Sequence, residues 1–187
     1  MKNNFVFLDR DGVICKEVGY LHKKEDIELI ENSAEAIKLL NQNNFNVIVI
    51  TNQSAIAKGL CTISRLNEIH EHLKLLLKEK GAKIDKIYYC PHHPTKGSVE
   101  EYIKTCKCRK PSPGLIHQAQ KDYNIDLKKS YLIGDKTVDI EAGLLAGCQT
   151  ILVSTGYGGS DNTLKAIPHH KQKDLFSAVT NIILKNL

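Results

Sequence analysis

Asp9 and Asp11 stand one residue apart, directly after the apolar run Phe5-Val6-Phe7-Leu8 and just before Gly12. Such a run reads as a buried strand, and strand alternation points both acids to the same side. Two carboxylates so placed repel, which calls for a cation between them or a division of labour into nucleophile and acid–base. The alternative, a polar strand end with two solvated acids, weakens once later residues are counted. Thr51 and Asn52 close the apolar run Val47-Ile48-Val49-Ile50, and Asp135 follows Tyr131-Leu132-Ile133-Gly134. Arg109 and Lys110 come just ahead of a helix start. Hard carboxylate oxygens select Mg²⁺, which binds through a few acids plus a substrate phosphate. Metal, hydroxyl and lysine together suit a phosphoryl transition state, whose charge spreads over its equatorial oxygens.

A second constellation is made of softer ligands. Cys90-Pro91-His92 and Cys106-Lys107-Cys108 offer three thiols and an imidazole, a tetrahedral zinc set that leaves no open position for substrate. Its expected task is structural: to pin the loop, about 90–108, that ends in Arg109 and Lys110. His93 is the poorer candidate beside His92. Cys15, Cys61 and Cys148 are isolated and read as ordinary thiols.

These groups need elements to carry them, and the chain alternates strand and helix. Strands are expected at Phe5–Leu8, Val47–Ile50, Ile84–Tyr89, Tyr131–Ile133 and Thr150–Val153. Asn32-Ser33-Ala34-Glu35 resembles a capping box opening one helix. Leu66, Ile69, Leu73, Leu76 and Leu77 set a second from near Ile63 to Lys80, stopped at Gly81. Ser112 and Pro113 read as N-cap and first residue of a third, reaching Tyr123. A fourth closes at Gly147, and a terminal helix covers Leu175–Leu184, with 157–173 loosely structured. This rhythm predicts one doubly wound α/β domain, a parallel sheet with helices on both faces. The strand ends then share one edge, where open α/β sheets bind ligands.

Length and composition fit that reading. The chain has 187 residues, 42% hydrophobic and 25% charged, as a globular domain does. No apolar stretch approaches the ~20 residues that span a bilayer. Residues 1–4 run straight into the first strand, so a cytoplasmic protein with reduced thiols, and no membrane partner, is expected. The net charge of +5 is scattered, which suits small anions and does not demand nucleic acid. With no spare apolar helix face, a monomer is expected.

Asp9-Arg10-Asp11-Gly12, Thr51-Asn52-Gln53, Lys110-Pro111 and Gly134-Asp135 with Asp139, in that order, resemble the haloacid dehalogenase-like phosphohydrolases over about Phe5 to Val153. The resemblance implies a single Rossmann-like domain without a large cap, and a role for each matching residue. Asp9 becomes the nucleophile that forms an aspartyl-phosphate, and Asp11 the acid and then the base. Mg²⁺ sits on Asp9, Asp135 and the backbone carbonyl of Asp11, while Thr51 and Lys110 hold the phosphoryl oxygens. Asp139 is read more simply, as an acid stabilising a helix N-terminus.

Cys90-Pro91-His92-His93-Pro94, Gly97-Ser98-Val99-Glu100-Glu101, Cys106-x-Cys108-Arg109-Lys110-Pro111 and Gly19-Tyr20-Leu21-His22 narrow the resemblance to the heptose-1,7-bisphosphate 7-phosphatase subfamily. It implies removal of the 7-phosphate of a sugar bisphosphate, in the supply of activated heptose for a bacterial surface polysaccharide. Substrate contacts carried over are Glu17, Val18, Gly19, Tyr20, Asn52, Gln53, Ser54, Arg109 and Lys136. Val13 and Ala55 depart from the usual threonine and glycine of the pattern. Histidinol-phosphate phosphatase, with a shorter span between its zinc pairs, is the alternative within the class. A non-catalytic zinc module that binds nucleic acid or protein is the alternative outside it, and it leaves the acids unexplained.

Overall fold

The structure, a computed structural model, describes residues 4–161 and 163–187, so the first three residues of the expected lead into the sheet lie outside it. Six parallel strands form one sheet in the order β3-β2-β1-β4-β5-β6. They are β1 Asn4–Leu8, β2 Phe45–Asn52, β3 Lys86–Cys90, β4 Tyr131–Gly134, β5 Gln149–Val153 and β6 His170–Gln172. The helices are α1 Ser33–Gln42, α2 Ile63–Glu79, α3 Gly114–Tyr123, α4 Thr137–Ala146 and the short α5 Leu175–Ala178.

Alternation divides each strand between two cores. Val6, Leu8, Val47, Val49, Ile133 and Ile151 pack with Ile37 and Leu40 of α1, Leu73 and Leu77 of α2, and Leu175 and Ala178 of α5. Phe5, Phe7, Ile48, Ile50 and Leu132 pack on the other face with Leu115, Ile116 and Ala119 of α3 and Ala142 of α4. Strands buried on both faces must be apolar almost throughout, which is why the short runs were readable. Among the described residues no helix is long and apolar enough to cross a membrane.

Local details depart from the expectations. Asn32 precedes α1 in a left-handed conformation (φ 60°) and makes no side-chain cap, so no capping box forms there. Thr62 does cap α2, its hydroxyl accepting from Arg65 N at 3.1 Å. α3 starts one residue late, at Gly114, with no capping bond from Ser112 or Pro113. The stretch expected to be loose holds β6, which pairs with β5 from Ile151↔His170 to Val153↔Gln172. The terminal helix is α only over Leu175–Ala178 and continues as a π turn, Val179–Ile183.

Candidate active site

Because β1 lies between β2 and β4, the strand order reverses direction about β1, and the crevice opens at the carboxyl ends of those strands. Asp9 extends β1, with its N–H donating to Ile133 O at 3.0 Å. A cavity of about 490 Å³ at this edge is walled by Asp9, Asp11, Thr51, Lys110, Lys136 and Tyr157 among others.

Lys110 is the hub of the buried floor. Its ammonium lies 2.9 Å from Asp9 Oδ1 and 2.7 Å from Asp139 Oδ1, and donates to Ile50 O at 2.8 Å. Burial alone would lower the proton affinity of Lys110, but Asp139 and Asp9 outweigh it and the ammonium form is held. Asp139 is therefore more than a helix-end acid, correcting the simpler reading. Its Oδ2 accepts from Lys136 N at 3.0 Å, closing the first turn of α4, while Oδ1 aims Lys110.

Asp9, Asp135 and Asp139 bring carboxylate oxygens within 4.8 Å of one another, all buried. Desolvation, then the neighbouring acids Asp9 and Asp139, push Asp135 up to about 8. Desolvation also dominates at Asp9, which rises to about 6 even though Lys110 pulls the other way. Asp135 Oδ1 is buried with no hydrogen-bond partner among the described residues. Its other oxygen accepts from Tyr157 N at 2.8 Å. Gly12 (φ +84°) and Gly156 (φ +60°) let two backbone turns close over that carboxylate, since a Cβ on either would stand 2.2 Å from Asp135 Oδ2. An unpaired oxygen beside a second acid, in a cradle of bare backbone, fits a small hard cation. Asp139 spends Oδ2 on Lys136 N and Oδ1 on the Lys110 ion pair, so Asp9 and Asp135 are the better placed side chains to hold it.

Asp11 lines the same cavity but does not join the three acids. Its carboxylate is gripped at both oxygens by Arg10, Nε to Oδ1 at 2.9 Å and Nη2 to Oδ2 at 2.8 Å. Burial would raise its pKa, but the Arg10 pairing and a hydrogen bond from Gln53 outweigh that and lower it. Strand alternation fails to describe this pair because β1 ends at Leu8, ahead of both acids.

Asn52 and Gln53, expected substrate contacts on the cavity wall, also hold the frame. Gln53 donates from Nε2 to Asp11 Oδ2 (3.0 Å) and Thr51 Oγ1 (2.8 Å) and accepts from Arg10 on Oε1 (3.0 Å). Asn52 exchanges two 3.1 Å bonds with the Lys110 backbone, tying it to the end of β2. Val18, also expected to touch substrate, is 52% exposed and is not among the residues walling the cavity. Glu17, Gly19, Tyr20, Ser54 and Arg109 are on the wall. Lys136 reaches Glu17 Oε2 at 2.7 Å and sits 4.4 Å over the Tyr157 ring. Arg109 spends one donor on His92 O at 3.0 Å.

The softer cluster assembles as expected in composition. Sγ atoms of Cys90, Cys106 and Cys108 lie 3.2–3.5 Å apart, with His92 Nδ1 at 3.6 Å from Cys90 and 3.4 Å from Cys108. Bonds of ~2.3 Å to sulfur and ~2.0 Å to nitrogen place tetrahedral ligands about 3.5–3.8 Å apart. The four atoms thus come near the edges of one such tetrahedron. His93 is excluded, its Nδ1 accepting from Thr95 N and Lys96 N.

Sequence reading missed Arg10, His70 and Tyr157. The Gly156-Tyr157-Gly158-Gly159 turn after an apolar strand was the available signal for Tyr157. Nothing local marks Arg10, which is fully buried and meets His70 sixty positions away.

Comparison with known proteins agrees with this geometry. The HAD-hydrolase-like family model matches residues 107–181. The D-glycero-alpha-D-manno-heptose-1,7-bisphosphate 7-phosphatase of Photorhabdus laumondii is 47% identical, over 89% of this chain and 91% of its own. The chain belongs to the heptose-1,7-bisphosphate 7-phosphatase family. Another member, the D-glycero-beta-D-manno-heptose-1,7-bisphosphate 7-phosphatase of Yersinia pestis, is 42% identical over 81% and 80%. The crystal structure of D,D-heptose 1,7-bisphosphate phosphatase from B. bronchiseptica, complexed with magnesium and phosphate, superposes with a TM-score of 0.86. It shares 31% identity with this family member and covers 97% of this chain and 99% of its own.

Proposed function

We propose that this phosphatase hydrolyses the 7-phosphate of D-glycero-D-manno-heptose 1,7-bisphosphate, with Asp9 as nucleophile and Asp11 as acid and base. The observation that carries the mechanism is Lys110 Nζ between Asp9 and Asp139, an ammonium fixed beside a buried carboxylate at the cavity floor. A carboxylate meets an anionic phosphate only where positive charge offsets their repulsion, and Lys110 stands there.

In the first half-reaction an Asp9 oxygen bonds to phosphorus as the bond to the sugar oxygen breaks, and Asp11 gives that oxygen its proton. In the second, Asp11 takes a proton from water as the water oxygen bonds to phosphorus and the Asp9–phosphorus bond breaks. The Arg10 grip that keeps Asp11 ionised in the free protein favours the base role. The dianionic phosphoryl group arriving beside Asp11 raises its proton affinity for the acid role. Thr51 Oγ1, held by Gln53, and Lys110 supply donors for the phosphoryl oxygens.

Asp9, Asp135 and the Asp11 carbonyl would hold Mg²⁺, which supplies charge neutralisation at phosphorus when bound. Cys90, His92, Cys106 and Cys108 would hold a structural Zn²⁺. Arg109, whose planar fork suits a phosphate, and Lys136 would take the phosphate that is not cleaved. The small-molecule pocket and scattered charge favour this over a nucleic-acid or membrane partner, and the lack of a spare apolar helix face in the sequence favours a monomer.

The test is phosphate release from the α and β heptose 1,7-bisphosphates and from histidinol phosphate, for wild type and Asp9→Asn. Mg²⁺-dependent release from a heptose substrate, lost in the variant, is expected; its anomer follows from which is faster. Faster turnover of histidinol phosphate would overturn the substrate assignment, and full activity in Asp9→Asn the nucleophile.

A further inference from the structure

His70 lies on α2, away from the cavity wall, and is buried. Its ring packs against Tyr89 of β3, centroids 5.7 Å apart, and its Nε2 is 3.2 Å from Arg10 Nη1. A guanidinium only donates, so His70 Nε2 accepts and the ring carries its proton on Nδ1. Arg10, itself fully buried, places Nε and one Nη2 donor on Asp11 and the other Nη2 donor on Gln53, so His70 is the one partner of Nη1 among the described residues. Four of the five N–H groups are therefore placed: two grip Asp11 bidentately, one reaches Gln53, and one on the remaining nitrogen is anchored by His70.

We propose that His70 is a positioning residue for the acid–base group, acting through Arg10 to fix the orientation of the Asp11 carboxylate. This rests on the reading of Asp11 as acid and base. A buried guanidinium deprived of one acceptor leaves an N–H without a partner, and it turns to find another. Its bidentate grip on Asp11 requires one plane and one direction, so a turned Arg10 moves the carboxylate off the line to the leaving oxygen. His70 itself touches no reacting atom.

The consequence is selective. Proton delivery matters for a sugar alkoxide, a poor leaving group, and little for 2,4-dinitrophenolate, which departs without an acid. A loss of fold or of phosphate binding would damage both substrates alike.

The experiment compares kcat/KM, which reports the first half-reaction, for heptose 1,7-bisphosphate and 2,4-dinitrophenyl phosphate in the Mg²⁺- and Zn²⁺-loaded protein. His70→Met and His70→Leu are made as a pair so that one folded variant suffices, with His70→Gln as the variant that restores an acceptor. The expected result is a loss of about tenfold or more on the sugar substrate, within threefold of wild type on the aryl substrate, and recovery in His70→Gln. Equal losses on both substrates, no loss on either, or no recovery in His70→Gln would overturn the proposal. Asp11→Asn separates the two readings. If it lacks the leaving-group selectivity, the acid role fails and the proposal with it. If it shows the selectivity and the His70 variants do not, the proposal alone fails.

Discussion

At the scale of single residues, the site is a set of charges placed against their own electrostatics. Lys110 serves two acids, while Asp135 makes no ion pair among the described residues and feels Lys136 only from further off. Burial and the neighbouring acids disfavour the Asp135 carboxylate, so folding near neutral pH must take up a proton there, and Asp135→Asn, which removes that cost, should stabilise the metal-free protein by about 1–3 kcal/mol. Thermal melts with and without Mg²⁺ check this: the variant should melt higher in chelator and lose the rise that Mg²⁺ gives wild type. A lower melting temperature in chelator would mean Asp135 is compensated by something else. Asp9, Asp11 and Asp135 were legible in the sequence because acids after apolar strands stand where an α/β sheet binds ligands, and Lys110 because a basic pair precedes a helix start. The double duty of Asp139 was not, since an acid in a first helical turn has an adequate local explanation. Arg10 was hidden for a related reason: its neighbours in sequence explain its charge, while its burial depends on His70 and Gln53.

Elements decide whether those residues meet. The turn after β5 carries Gly156 and Tyr157 to Asp135, and a methyl group at 156 would collide with the carboxylate while straining a positive φ. Gly156→Ala should therefore lower kcat by roughly 10²-fold, the scale of a 1 Å misplacement, with the fold retained by circular dichroism. The 90–108 loop depends on its own ligands: beyond Cys90 at the end of β3 it has only an isolated bridge of His93 with Ile103 and a short 3₁₀ turn at Glu100–Tyr102. Cys106→Ser, or stripping with a chelator, should lower the melting temperature by about 6–12 °C, which is ~3 kcal/mol for a domain of this size. Activity should fall with it, because the same loop delivers Arg109 and Lys110; a chelated protein of unchanged activity would refute the structural zinc. Strands β1, β2, β4 and β5 were legible since burial on both faces demands unbroken apolar runs. β6 was not: His170, Lys171 and Gln172 form a strand only because β5 offers them an open edge. Similarly Asn32 had the right side chain for a cap and the wrong backbone, a fact set by the turn before α1.

For the molecule as a whole, stability should carry a signature of His70. Burial, and then the Arg10 charge, hold it neutral down to about 3, with Lys74 acting the same way and Asp11 opposing. The unfolded chain takes up that proton near pH 6.5, so the contribution of a neutral His70 is complete above 6.5 and drains away as pH falls toward 3. Denaturant titrations should show a slope of about 1.4 kcal/mol per pH unit from this one group, absent in His70→Gln. Equal slopes in both proteins would place the proton elsewhere. The strand order has a consequence for how the protein is made. β1 emerges from the ribosome early, yet its neighbour β4 pairs Ile133 with Leu8 about 125 residues later. At ~5–20 residues per second, the edge of the central strand stays open for about 6–25 s of synthesis. Asp9 is made as that interval opens, Thr51 and then Lys110 within it, and Asp135 only after it closes. The nascent chain thus lacks a complete site, and carries an unpaired apolar strand edge, until β4 and Asp135 have been translated, which makes a growing chain a natural client for a chaperone at the exit tunnel.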